Sequence, residues 1–199
     1  MSNQAGWMLF VDGENFAIRA QELAKREELA LSVDQTNYMQ DVFVWLPGWD
    51  PLTTPFQHRI FPLDNAHAVR AYYYTSVAGD DVKVLEVKRA LRALNFDHQV
   101  FKKVRGSKSK GVDISLTKDM LSHAFLDHYE DAILIAGDGD YAPLVNEVKR
   151  RGKRVYLWFF AGDVLGTAGD LALIADLFVD MTPHFIETWR RRLTRVAPA

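Results

Sequence analysis

Apolar runs of strand length alternate along this chain with segments of helical periodicity, and that alternation predicts a three-layer α/β, Rossmann-like fold with a mostly parallel central sheet. Three stretches carry the prediction. Trp7 to Val11 is a continuous apolar run that ends at Asp12. Ala132 to Ala136 is a second run, followed by Gly137, Asp138, Gly139 and Asp140. Tyr141, Leu144, Val145 and Val148 then recur at i, i+3, i+4 and i+7, which is one face of a helix, and Val155 to Phe160 starts another strand.

The first run predicts a buried strand, then a sharp turn at Gly13 and a helix over Phe16 to Ala30, rich in Ala, Glu, Gln, Leu and Lys. Asn15 is placed to cap that helix or to touch a phosphate. Leu31 to Ala66 has no period. Its aromatics, among them Trp45, Trp49 and Phe56, are interrupted by Pro47, Pro51, Pro55 and Pro62. That composition predicts an irregular insertion at about 31–66 within a single domain spanning 1–199. Aromatics of this kind can stack on unpaired bases; more often they fill a satellite core or a dimer contact, so a homo-oligomer stays open.

Val69 to Thr75 is a strand by its β-branched and aromatic content. Val84, Val87, Leu91 and Leu94 give a helix, and Asp97 to Val104 another strand. The segment Lys102 to Lys110 is basic and contains Lys103, Arg105 and Lys108. It leads directly into a helix over Asp113 to Phe125, with Asp113 in the first turn. Asp119 lies six residues on, about 600° around the helix, so it points away from Asp113 as a solvated or supporting group. Small residues at Ala168 to Ala175 predict a further helix, Leu177 to Met181 a last strand, and Pro183 to Arg195 a terminal helix.

The composition narrows the chemistry. Net charge is −2, yet cations cluster at 102–110, 149–154 and 190–195, so basic patches form on a nearly neutral protein. There are no cysteines, which excludes disulfides, thiol nucleophiles and Cys-bound zinc and suits a cytoplasmic setting. No basic segment with a following apolar stretch opens the chain, and no apolar run approaches the roughly 20 residues of a membrane helix, so no membrane partner is expected. No G-x-G-x-x-G follows the first strand, so the dinucleotide fingerprint is absent. The six histidines show no pairing with the acids that would suggest metal-free acid–base chemistry.

In a parallel sheet the carboxyl ends of the strands share one rim, where ligands bind. Asp12, Asp138 and Asp140 belong to that rim, and the helix carrying Asp113 starts from it. Carboxylates brought so close repel one another, and hard oxygen ligands suit Mg²⁺ or Mn²⁺. Acids that hold a cation beside a loop that grips phosphate fit phosphodiester chemistry.

At these same residues the chain resembles the NYN family, a branch of the PIN-like ribonucleases. The matching pieces are FVDGEN at Phe10 to Asn15, KGVDISLTKDM at Lys110 to Met120, AGDGDYAPLV at Ala136 to Val145 and RGKRV at Arg151 to Val155. Gly139 stands where the family often has a small polar residue. The resemblance implies a PIN fold and a Mg²⁺- or Mn²⁺-dependent endoribonuclease in which a metal-activated water cleaves RNA. It places metal-binding and catalytic roles on Asp12, Asp113, Asp138 and Asp140 and a substrate-side role on Asn15. Lys103, Arg105, Lys108 and Lys110 are expected to hold the RNA backbone. Two other readings stay open. One is a non-catalytic RNA-binding or regulatory module of the same fold. The other is a haloacid-dehalogenase-like phosphatase, which needs an Asp where Glu14 stands.

Overall fold

A computed structural model describes residues 6–28, 68–93, 96–103, 110–164, 169–183 and 186. The aromatic and proline-rich stretch at 31–66 and the arginine-rich terminal helix lie outside the described residues. So do Arg105, Lys108 and the side chain of Lys110.

The elements run β1 (Trp7–Asp12), α1 (Gly13–Arg26), β2 (Ala68–Ala78), α2 (Asp81–Ala93), β3 (Asp97–Lys103), α3 (Lys110–Phe125) and β4 (Asp131–Ile135). A one-turn 3-10 segment, Gly139–Tyr141, leads into α4 (Ala142–Arg150). Then follow β5 (Arg154–Phe159), α5 (Ala161–Val164), α6 (Gly169–Ile174) and β6 (Leu177–Asp180). The six strands form one parallel sheet in the order β3-β2-β1-β4-β5-β6. Helices cover both faces, which completes the three-layer α/β fold expected from the alternation.

The two central strands explain the fully apolar runs. All six residues of β1 and all five of β4 are buried, because both of their faces are covered by helices. On one face α1 packs on β1 and β2, and α2 packs on β2 and β3. On the other, α3 lies over β1 and β2 and against α4, which in turn meets α6. The alternation of β2 serves both layers. Tyr73 meets Phe96 edge-on, with ring centroids 5.3 Å apart, while its neighbours Tyr72 and Tyr74 turn towards α3. Phe10 of β1 stacks on Tyr72 at 5.6 Å and meets Tyr129 edge-on at 5.9 Å.

Several boundaries differ from the sequence reading, each for a local reason. The first helix starts at Gly13 rather than Phe16, because Asp12 itself is the cap and its Oδ1 accepts the Asn15 N–H at 3.0 Å. Strand β2 continues to Ala78, paired throughout its upper half with β3. Asp119 is held against the sheet rather than solvated. Tyr74 O–H donates to it at 3.1 Å and Gln99 Nε2 at 2.6 Å, which ties α3 to β2 and β3.

The connection from β3 to β4 crosses the sheet, so strand order reverses between β1 and β4. Doubly wound sheets leave a crevice outside the strand ends at this switch point. Asp12 ends β1 there, and Gly137 and Asp138 follow β4.

Candidate acidic site at the switch point

Two glycines allow the chain to pass through this crevice. A Cβ at Gly13 would lie 1.9 Å from Tyr73 Cε1, and one at Gly137 would lie 2.2 Å from Phe159 Cε1. Both backbones therefore run flush against buried rings, and the residues beside them are placed by that contact.

Asp12 is buried, at 4% exposure. Its Oδ1 is used by the α1 cap, and its Oδ2 accepts from the Tyr141 phenol at 2.9 Å. The same phenol oxygen lies 3.1 Å from Asp113 Oδ1 in the first turn of α3. Asp12 and Asp113, 101 positions apart in the chain numbering, are thus brought to one hydroxyl. Burial pushes the Asp12 carboxyl from 3.8 up to about 7; the Asn15 and Tyr141 hydrogen bonds oppose the rise, while Asp113 and Glu14 add to it. The Asp113 carboxyl is also raised, first by desolvation and then by the charges of Asp138, Glu14 and Asp140, against the Tyr141 hydrogen bond.

Asp138 is exposed and caps the 3-10 turn, its Oδ1 accepting the Asp140 N–H at 3.0 Å. Asp140 is exposed beside it. Among the described residues no Lys or Arg forms an ion pair with Asp12, Asp113, Asp138 or Asp140. Among the described residues, too, no group of three His, Asp or Glu side chains stands so as to hold a metal ion. The close pair is Asp12 with Asp113, and Asp138 and Asp140 act on Asp113 through their charge. The donor chemistry fits a hard divalent cation, since all four groups offer carboxylate oxygens and, among the described residues, no cationic side chain forms an ion pair with the buried Asp12.

Asn15 neither caps α1 with its side chain nor stands free at the rim. Its Oδ1 accepts the Gly137 N–H at 2.8 Å. Lys103, at the end of β3, donates to Glu14, which also accepts from Ser76 Oγ. The Lys103 and Glu14 side chains are mostly buried, at 10% and 18% exposure. Of the four expected backbone-gripping cations, Lys103 is the one whose side chain is described, and it is held by Glu14.

Sequence reasoning missed two members of this site. Tyr141 reads as part of the apolar face of α4, and its ring is indeed buried. Nothing in the periodicity reveals where its hydroxyl goes. Glu14 reads as a turn acid; its contacts lie 62 and 89 residues away, beyond any local pattern.

A doubly wound parallel sheet with carboxylates gathered at its switch point defines a three-layer, PIN-like α/β domain. The NYN domain model matches residues 7–182, and the chain belongs to that family of PIN-like nucleases. Among solved structures it is similar to a protein of unknown function, VPA0982, from Vibrio parahaemolyticus, at 23% identity and a TM-score of 0.59. The match covers 91% of this chain and 96% of the other, and it carries the fold alone. No curated protein matches the chain. Among the described residues, no helix is long and apolar enough to cross a membrane.

Proposed function

We propose that this protein is a metal-dependent endoribonuclease whose centre is the acidic crevice between β1 and β4. The observation that carries the reading is the meeting of Asp12 and Asp113 at the Tyr141 phenol, with Asp138 and Asp140 close enough to raise the Asp113 carboxyl. Family membership supplies the nuclease class; the RNA substrate, the Mg²⁺ or Mn²⁺ preference and the individual roles are part of the proposal.

In this reading Asp12 and Asp113 supply the principal oxygen ligands, and Asp138 and Asp140 complete the site. When bound, a divalent cation there neutralises charge on the phosphodiester and lowers the pKa of an attacking water. The chain's own residues do the rest. Asp12 is held rigidly, because the α1 cap and Tyr141 take both of its oxygens. The Asn15 side chain, held by Gly137 N–H, fixes the distance between the two halves of the crevice. Lys103 supplies a positive charge held by Glu14, which a phosphate would compete with Glu14 to reach. Arg105, Lys108 and Lys110, the basic residues the sequence assigns to the RNA backbone, would add to that charge, and a salt-dependent affinity follows.

The test is cleavage of end-labelled single-stranded RNA with Mn²⁺, with EDTA, and by the Asp138→Asn variant. Internal cuts that require the metal and the carboxylate are expected. Cleavage that survives both EDTA and the substitution would overturn the metal-dependent reading. RNA binding without cleavage would replace it with the regulatory module. Release of inorganic phosphate from small phosphomonoesters would replace it with a phosphatase.

A further inference from the structure

We propose that Tyr141 is a positioning residue for cation binding, its hydroxyl holding the carboxylates of Asp12 and Asp113 side by side. The inference rests on the reading of this crevice as a divalent-cation site. Tyr141 closes the 3-10 turn after β4 and is 3% exposed. Its ring belongs to the hydrophobic core, and only its oxygen reaches the acids.

The two acids depend on that oxygen unequally. Asp12 is buried and has a second donor in the Asn15 N–H. Asp113 is exposed, and its hydrogen bond among the described residues is to Tyr141. The charges of Asp138, Glu14 and Asp140 all push against Asp113. Among the described residues the phenol is what opposes that repulsion, and without it the Asp113 side chain is expected to turn outward to water.

A phenol carries one hydrogen, so it fully serves only one acceptor at a time. The other carboxylate oxygen is therefore left with a lone pair that a cation entering between the two acids can use. The hydroxyl keeps the pair close enough to receive that charge without neutralising it. Loss of a hydrogen-bond partner that orients a metal ligand lowers affinity by about 10–100-fold. The same loss is expected here.

The experiment measures Mn²⁺ affinity by calorimetry for the wild type and Tyr141→Phe, which keeps the buried ring and deletes the oxygen. Weakening of about tenfold or more is expected. Cleavage by the variant should recover towards the wild-type rate as Mn²⁺ is raised, because Tyr141 does not touch substrate. In an Asp113→Asn background the same substitution should have a smaller further effect, since the ligand that depends on it most is already gone and Asp12 keeps the Asn15 N–H. Equal or tighter Mn²⁺ binding by Tyr141→Phe overturns the proposal, and a change in melting temperature alone would mark a merely structural contact. A wild type that binds no Mn²⁺ instead overturns the metal site, and this inference with it. Should the variant fail to fold, wild-type protein labelled at the tyrosine ring carbon bearing oxygen decides the matter by NMR. The Tyr141 signal must shift on Mg²⁺ addition, and a signal that stays put refutes the role.

Discussion

The side-chain oxygen of Asn15 accepts the backbone N–H of Gly137 at 2.8 Å, joining residues 122 positions apart. One residue follows β1 and the other follows β4, so this bond spans the point where strand order reverses. It brings the loop that carries Asp138 and Asp140 to the end of the strand that carries Asp12. A single amide thus ties the two sides of the crevice together.

Asn15→Ala removes the acceptor and leaves the Gly137 N–H without it. A lost partner of this kind costs about 1–3 kcal/mol, read as a lower urea midpoint. Asn15→Asp retains an acceptor but adds negative charge beside Asp12, so it should recover stability only in part and only when Mn²⁺ is present. Equal midpoints for the wild type and Asn15→Ala would show that the bond does not hold the crevice.

Asp12→Asn separates stability from function. The buried carboxylate disfavours its own ionisation, and the amide removes that charge while keeping its shape. Its Oδ1 still accepts the Asn15 N–H, and its NH₂ donates to the Tyr141 oxygen. Around pH 8 in EDTA the variant should therefore melt higher than the wild type, yet cut RNA at a rate at least about 100-fold lower. A lower melting temperature would mean that the Asp12 charge is compensated in the fold.

The pH dependence follows from the same group. Asp12 has a folded value of about 7 against 3.8 when unfolded, so between those values the folded state binds more protons. Its contribution to stability is full at the acid end and is lost as pH rises towards about 7. His123 acts in the opposite direction, since burial, and to a lesser degree His128, lower its value from 6.5. The difference in melting temperature between the wild type and Asp12→Asn in EDTA isolates the carboxyl. That difference should grow with pH up to about 7 and then level off. A gap that stays constant with pH would refute the assignment.

What the sequence could and could not reveal follows from the range of the interactions. The run Trp7 to Val11 announces a strand buried on both faces because burial of a whole segment is written in consecutive residues. Asp12 and Asp138 are legible for the same reason, as the first acids after such runs. Asp113 is legible as an acid in the first turn of α3. The opposite holds for Tyr141, whose ring obeys the helical period while its hydroxyl serves two acids from other elements. Lys103 and Glu14 are each visible as charges, but their pairing depends on β3 lying two strands from β1. The sequence points to Asn15 for the cap of α1, whereas Asp12 does two jobs, closing the helix with one oxygen and facing the crevice with the other.

Gly13→Ala tests whether the crevice is set by packing as well as by hydrogen bonds. The added methyl would begin 1.9 Å from Tyr73 Cε1, and Tyr73 is fully buried, so either the ring or the start of α1 must move. Overpacking of this order costs about 1–3 kcal/mol. Gly13 lies between Asp12 and Asn15, so a shift of α1 re-aims both. Mn²⁺ affinity should then fall together with the urea midpoint. The double variant Gly13→Ala, Tyr73→Leu makes room for the methyl and should restore a good part of the affinity. If the affinity stays low in that background, the close approach of Gly13 to Tyr73 is not what aims Asp12.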